Sequence, residues 1–293
     1  MLIARLIAEP DALSANLGSA IRDIEAQGMR LHRAEPLRDD ETVVQFEAEG
    51  GASAALRAIL DKAFTPSDLL VADHVPLLPR LFVSDMDSTM IGQECIDELA
   101  DFAGIKAQIA EITERAMQGE LDFAEALISR VRLLGGLGED AILQCLDQRI
   151  TPMPGAKTLV ATLKAHGCHT VLVTGGFHQF ADPVAELLGI ERVVANRLGV
   201  EHGRLTGGLI GAIVDSSIKQ QVLLSEAERL NGAPSLATGD GANDIPMLQA
   251  ASYGIAYHAK PKARGAADGT IDRGDLTSVL RLLGIAEGDW VVA

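Results

Sequence analysis

The sequence predicts an α/β protein: a doubly wound, mostly parallel Rossmann-like sheet with a helical cap inserted after its first strand, preceded by a small α+β ferredoxin-like unit. Three observations carry that expectation. From Pro152 onward, apolar strand-like runs alternate with helical patterns, the signature of βα units. Three strand-like runs, ending at Asp85, Thr174 and Asp240, stop in short polar or glycine-rich turns. Residues 2–73, finally, follow a β-α-β-β-α-β order of their own.

In that first unit, residues 2–8 read as a strand, 11–27 as a helix, and 30–36 and 42–48 as strands joined by the charged turn Arg38-Asp39-Asp40-Glu41. A helix (52–63) and a strand (69–73) complete it. The unit is expected to need nothing from the rest of the chain, and nothing in it looks catalytic. Val75-Pro76-Leu77-Leu78-Pro79 follows, and its two prolines break both helix and ladder patterns. The expected domains are therefore 1–75 and 76–293.

Leu81-Phe82-Val83-Ser84 is a buried strand that delivers Asp85 and Asp87 to its C-terminal edge, where open α/β sheets hold ligands. Ile91, Cys95, Leu99 and Phe102 then recur at helical spacing. The helical pattern continues to Arg149, broken at Gly104 and Gly135-Gly136-Leu137-Gly138. No strand separates these helices, so residues 92–150 are expected to form a cap rather than a layer of the sheet. A helix (156–166), the strand 170–173, the turn Thr174-Gly175-Gly176-Phe177 and a helix to Leu188 come next. Residues 193–198 and 204–206 flank the turn Glu201-His202-Gly203 and suggest a hairpin. A helix (217–230), the strand 235–238, a helix (245–251), a strand near 253–257 and a final helix (275–283) complete the alternation.

Composition bounds the function. The chain has 293 residues, 25 Lys and Arg against 41 Asp and Glu, and a formal charge of −16. That charge argues against nucleic-acid and anionic-membrane partners, which demand clustered basic residues. Cys95, Cys145 and Cys168 form neither a CxxC pair nor an even set, which suits a reducing cytoplasm. Glu9 and Asp11 arrive too early for a signal peptide, and no apolar run reaches the ~18 residues of a membrane helix. A soluble, cytoplasmic protein is expected.

In a parallel sheet the ends at Asp85, Thr174 and Asp240 converge on one edge and can form one site. Asp85, Asp87, Asp240 and Asp244 would put four carboxylates there, a costly arrangement unless a cation neutralises them. All-oxygen ligands suit a hard ion, most simply Mg2+. A carboxylate can attack phosphorus directly, and a second one nearby can protonate the leaving oxygen and later deprotonate water. The residues alone do not divide those two roles between Asp85 and Asp87. Thr174, with the amides of Gly175 and Gly176, offers donors to phosphate oxygens, and Lys219 is the natural fixed cation.

Taken singly, each of these signals is ordinary. A DxD pair is more often a solvated turn, Gly239-x-Gly241 lacks the third glycine of a dinucleotide fingerprint, and Lys219 alone reads as a surface lysine. His166-Gly167-Cys168-His169 lacks a second ligand pair and reads as structural. Their joint placement at strand ends and helix starts outweighs the separate readings.

Asp85-Met86-Asp87-Ser88-Thr89, Thr174-Gly175-Gly176, Lys219 and Gly239-Asp240-Gly241-Ala242-Asn243-Asp244 together resemble the four motifs of the haloacid dehalogenase superfamily. More narrowly, they resemble the branch that hydrolyses O-phospho-L-serine in the last step of serine biosynthesis. The resemblance implies that Asp85 is the nucleophile and Asp87 the general acid/base. It also implies Mg2+ on Asp85, the Asp87 backbone carbonyl and Asp240, with Asp244 supporting that shell, and Asn243 contacting substrate. Glu94 and Arg130 match the family's partners for the substrate amino group and carboxylate, while Phe123 and Val131 would line the pocket. An anion for an ammonium and a guanidinium for a carboxylate is what a zwitterionic phosphoserine requires. One departure is Thr174, where the family usually has Ser; the hydroxyl survives.

The same resemblance makes the N-terminal unit ACT-like, a candidate for amino-acid sensing or for homodimer formation. Two alternatives stand beside this reading. One is a capped phosphatase or phosphotransferase acting on another small phosphate ester; the other is a serine-sensing regulatory protein with vestigial catalysis.

Overall fold

The computed structural model describes residues 1–117 and 120–292. The chain opens with β1 (Leu2–Ile7), α1 (Pro10–Ala26), β2 (Arg30–Leu37), β3 (Asp40–Glu49), α2 (Ser53–Phe64) and β4 (Asp68–Ala72). These strands pair antiparallel in the order β2-β3-β1-β4. Leu6 and Phe46 on the strands meet Ile24, Leu56 and Leu60 on the helices, so the apolar stripe of each helix is buried against one sheet face.

β5 (Leu81–Ser84) is buried at every position, as a central strand covered on both faces must be. Four helices follow it: α3 (Cys95–Phe102), α4 (Lys106–Met117), α5 (Phe123–Leu133) and α6 (Asp140–Arg149). α5 starts at a capping box in which Asp122 and Glu125 satisfy each other's backbone amides. Then come α7 (Ala156–Ala165), β6 (His169–Phe177), α8 (His178–Leu188), β7 (Arg192–Asn196), β8 (Leu198–Glu201), β9 (Arg204–Leu209) and α9 (Ser216–Arg229). β10 (Ser235–Gly239), α10 (Ile245–Ala250), β11 (Tyr253–Tyr257), α11 (Pro261–Ala266), β12 (Gly269–Ile271) and α12 (Thr277–Leu283) end the chain.

Six of these strands run parallel in the order β12-β11-β10-β5-β6-β7. The chain moves outward from β5 in one direction through β6 and β7, and in the other through β10, β11 and β12. Strand order thus reverses between β5 and β10, and a crevice opens at their C-terminal ends. Asp85 and Asp240 stand on its two sides.

Three expectations are corrected. Residues 193–196 are not a hairpin arm: Val193 and Val194 pair in parallel with Leu172 and Val173, so this apolar run extends the core sheet. The hairpin is β8 with β9. Thr174–Phe177 does not turn but continues β6, and α8 begins only at His178. The N-terminal unit, finally, does not stand apart, because β4 pairs antiparallel with β12 and joins everything into one ten-stranded sheet.

Asp68 fixes that junction. Its buried carboxylate accepts the backbone N–H groups of Asp272, Arg273 and Gly274 and the Ser278 hydroxyl. Arg264 forks onto Asp61, and Arg281 onto Asp40.

The helical insertion is tied to the sheet at two places. Where it leaves and re-enters, the Gln93 amide exchanges hydrogen bonds with Thr151, and Gly92 N–H donates to the Thr151 carbonyl. Further out, Gly136 and Glu139 donate to Leu205 and Gly203, and Leu205 donates back to Leu137. The loop after α5 is thereby docked on the β8–β9 hairpin.

Candidate active site

Asp85 leaves β5 with its backbone N–H on the Thr238 carbonyl, so β5 and β10 are stitched together beside the carboxylate. Asp85 Oδ1 accepts Met86 N–H at 2.7 Å and lies 2.8 Å from Lys219 Nζ. Both partners fall on Oδ1, which leaves Oδ2 for the pocket that Asp85 lines. Burial and the neighbouring Asp244 push the Asp85 carboxyl well above its usual range, against the pull of Lys219.

Lys219 itself is buried at the start of α9 and does not line the pocket. Its ammonium bridges Asp85 and Asp244, at 2.8 and 2.7 Å. Those two carboxylates raise its pKa despite burial. Asp244 is fully committed: Oδ1 takes Lys219, and Oδ2 accepts the N–H groups of Asp240 and Gly241. Gly239 makes room for this, since a Cβ there would lie 2.5 Å from Asp244 Cγ.

Asp87 follows two residues after Asp85, and its Oδ1 is buried with no hydrogen-bond partner among the described residues. Burial, reinforced by the negative charge of Glu94, raises its pKa to about 7, while Cys95 acts in the opposite direction. Asp240 lies across the crevice and is likewise raised by burial, with Lys260 opposing.

The Thr174 hydroxyl is turned inward and accepts Gly176 N–H at 2.9 Å. That amide is engaged within the strand extension rather than offered from a helix N-terminus. Phe123, on the insertion, approaches this strand closely enough that a Cβ at Gly175 would lie 3.2 Å from its ring.

One pocket of about 230 Å³ gathers most of the expected residues: Asp85, Asp87 and Asp240, then Thr174, Gly175, Gly176 and Asn243 on the sheet edge, with Glu94, Phe123 and Arg130 on the insertion. Glu94 accepts the Ser88 hydroxyl at 3.0 Å. Burial lowers the Arg130 pKa, with Asp97 and Glu94 opposing. Val131 is buried in the core and is not among the lining residues. Ile96, Leu127, Phe177 and Lys260 also line the pocket and were not anticipated. None of the four stands out in the sequence from an ordinary core or loop residue.

Oxygens of Asp85, Asp240 and Asp244 all lie within 4.8 Å of one another, all buried. This all-carboxylate donor set fits a hard divalent cation, which would offset the mutual repulsion that adds to burial in raising Asp85 and Asp240. Asp85 and Asp240 are the members with oxygens facing the pocket; Asp244, spent on Lys219 and two amides, braces them.

A family model for haloacid dehalogenase-like hydrolases matches residues 82–249, and a second model of that description matches 219–283. The chain belongs to the haloacid dehalogenase-like hydrolase family. Within it, the curated relatives that the chain resembles include the phosphoserine phosphatase of Albidiferax ferrireducens, 44% identical over 210 residues, covering 69% of this chain and 89% of that protein. Another is the phosphoserine phosphatase of Idiomarina loihiensis, 45% identical over 205 residues, covering 69% of this chain and 93% of that one. Among solved structures, a probable phosphoserine phosphatase from Vibrio cholerae superposes with a TM-score of 0.74 at 29% identity, over 98% of this chain and 88% of that chain.

Proposed function

We propose that this chain is a Mg2+-dependent phosphatase that hydrolyses O-phospho-L-serine to serine and phosphate through phospho-Asp85, the last step of serine biosynthesis in the cytoplasm. One observation carries the substrate assignment: a carboxylate, Glu94, and a guanidinium, Arg130, line the same pocket as Asp85 and Asp87. Asp85 Oδ2 attacks phosphorus, and the bond to the serine oxygen breaks. Asp87 gives that oxygen a proton, which its buried, unpartnered Oδ1 is suited to hold. Asp87 then takes a proton from water, whose oxygen attacks phosphorus and restores Asp85. A divalent cation held by Asp85, the Asp87 backbone carbonyl and Asp240 would supply the charge neutralisation between an anionic nucleophile and an anionic phosphoryl group. Glu94 meets the ammonium, Arg130 the carboxylate, and Asn243 with Thr174, Gly175 and Gly176 shapes the phosphate end.

The insertion α3–α6 acts as the cap that covers the site and excludes water. Residues 1–75 are read as an ACT-like domain, a candidate amino-acid-sensing or dimerising module. The test is phosphate release from phosphoserine and from esters lacking the ammonium or the carboxylate. Asp85→Asn is expected to lose turnover on all of them, and retained turnover sinks the covalent route. Arg130→Ala is expected to lose activity on carboxylate-bearing substrates alone. An equal loss on the others removes Arg130 from recognition.

A further inference from the structure

Lys260 lines the pocket, and the chemistry above gives it no task. Its position is fixed by sequence. It precedes Pro261, the first residue of α11, and holds φ −60° and ψ 149°, the extended conformation that a following proline favours. Its backbone N–H donates to the Asp240 carbonyl at 3.0 Å. From this anchored start the side chain reaches back to the same residue, with Nζ 3.4 Å from Asp240 Oδ2. Two contacts with Asp240, one through the backbone and one through the ammonium, come from a single residue.

The charges around it explain why a cation is needed. Asp240 sits in a buried carboxylate cluster with Asp85 and Asp244, their oxygens within 4.8 Å of one another, and Glu94 lines the same pocket. Lys219 cannot help, because it is buried between Asp85 and Asp244. The Lys260 ammonium shares its pocket with two carboxylates, Asp240 and Glu94. Its side chain is nevertheless 69% exposed, so the ammonium can leave without desolvation or repacking.

Resting on the reading of Asp240 as a metal ligand, we propose that Lys260 is the resident counter-cation of Asp240 in the metal-free protein and competes with the incoming divalent ion for that carboxylate. Metal loading is then an exchange of one cation for another. It is not an addition to a bare acidic cluster. Lys260 acts through Asp240 and is a positioning residue, one that steadies the metal-free site and weakens metal affinity.

The test is calorimetric titration of the metal-stripped full chain with Mn2+ and with Mg2+, without substrate. Lys260→Gln is expected to bind about threefold to tenfold more tightly than wild type, the scale of losing one exposed like charge beside the ion. Lys260→Arg, which keeps the charge, is expected to stay within about twofold of wild type. Without metal, Lys260→Gln is expected to melt below wild type and to gain more on metal addition. Unchanged or weaker binding by Lys260→Gln, in a protein whose Asp240→Asn variant no longer binds metal, overturns the role of Lys260. Wild-type metal affinity in Asp240→Asn overturns the metal reading instead.

Discussion

The Lys219 ammonium lies 2.8 Å from Asp85 Oδ1, and neither side chain has more than a trace of exposure. The pair sets a fixed cation against a carboxyl that burial and Asp244 push upward. Lys219 also holds Asp244, so its removal would leave two buried carboxylates uncompensated.

Lys219→Met is therefore expected to abolish phosphate release and to destabilise the fold by about 3–5 kcal/mol, the cost of breaking a buried pair by removing one partner. Urea unfolding measures the second effect. Combining it with Asp85→Asn should recover part of the loss, because one orphaned charge is then gone. Equal stability of Lys219→Met and wild type would contradict the buried bridge.

Gly176→Ala tests the packing around the proposed acid. A Cβ there would lie 3.0 Å from Met86 Cε, 3.2 Å from Thr174 Oγ1 and 3.3 Å from Asp87 Oδ2. Asp87 and Thr174 line the pocket, so relief comes at the expense of its geometry. Turnover should fall about tenfold to a hundredfold, as displacements near 1 Å do in positioned sites. The fold should tolerate the change. Initial rates and a thermal melt separate the two, and a large melting loss with normal turnover would place the strain elsewhere.

The parts of the site that were legible in the sequence are those announced by a change of pattern. Leu81–Val83 is uniformly apolar and carboxylates follow at Asp85 and Asp87, so the strand end was evident. Lys260 was not, because a lone lysine before a proline looks like any loop residue until β11 is seen to end beside β10. β12 spans three residues, too few for periodicity to register. Val193 and Val194 misled because two adjacent apolar residues fit a hairpin arm and a buried parallel strand equally well. Thr174–Phe177 misled because glycines suggest a turn, whereas here they let an extended strand pass Met86 and Phe123 closely.

Asp68 lies just before the strand read at 69–73 and carries no signal in the sequence, yet it receives three backbone amides and a hydroxyl from the 272–278 segment. Asp68→Ala should cost about 3–5 kcal/mol, since it strands several buried donors at once. Deleting residues 1–75 should do more harm than losing a separate module would, because it uncovers the β12 edge. The expected result is a fragment that melts lower and aggregates. A fragment 76–293 as stable and monomeric as the full chain would show that the shared sheet contributes little.

The same junction gives a pH dependence whose sign follows from its carboxylates. Arg264 forks onto Asp61, with one bond of 2.7 Å, and this pairing lowers the Asp61 pKa against partial burial. At Asp40, burial pushes upward, but the donors from Arg281 and Thr42 prevail and the pKa is lowered again. A carboxylate with a depressed folded-state pKa binds protons more readily when unfolded. Its stabilisation is therefore complete above the unfolded value of about 3.9 and disappears as pH falls through the lower folded value. Asp61→Asn should accordingly melt below wild type at pH 7. The gap should close as pH falls through the lowered folded value, once Asp61 is protonated in both states. The partner variant Arg264→Met should show the same convergence. Melting curves across that range decide the matter: a gap that persists or widens in acid would mean that the Asp61–Arg264 fork does not hold α2 to α11.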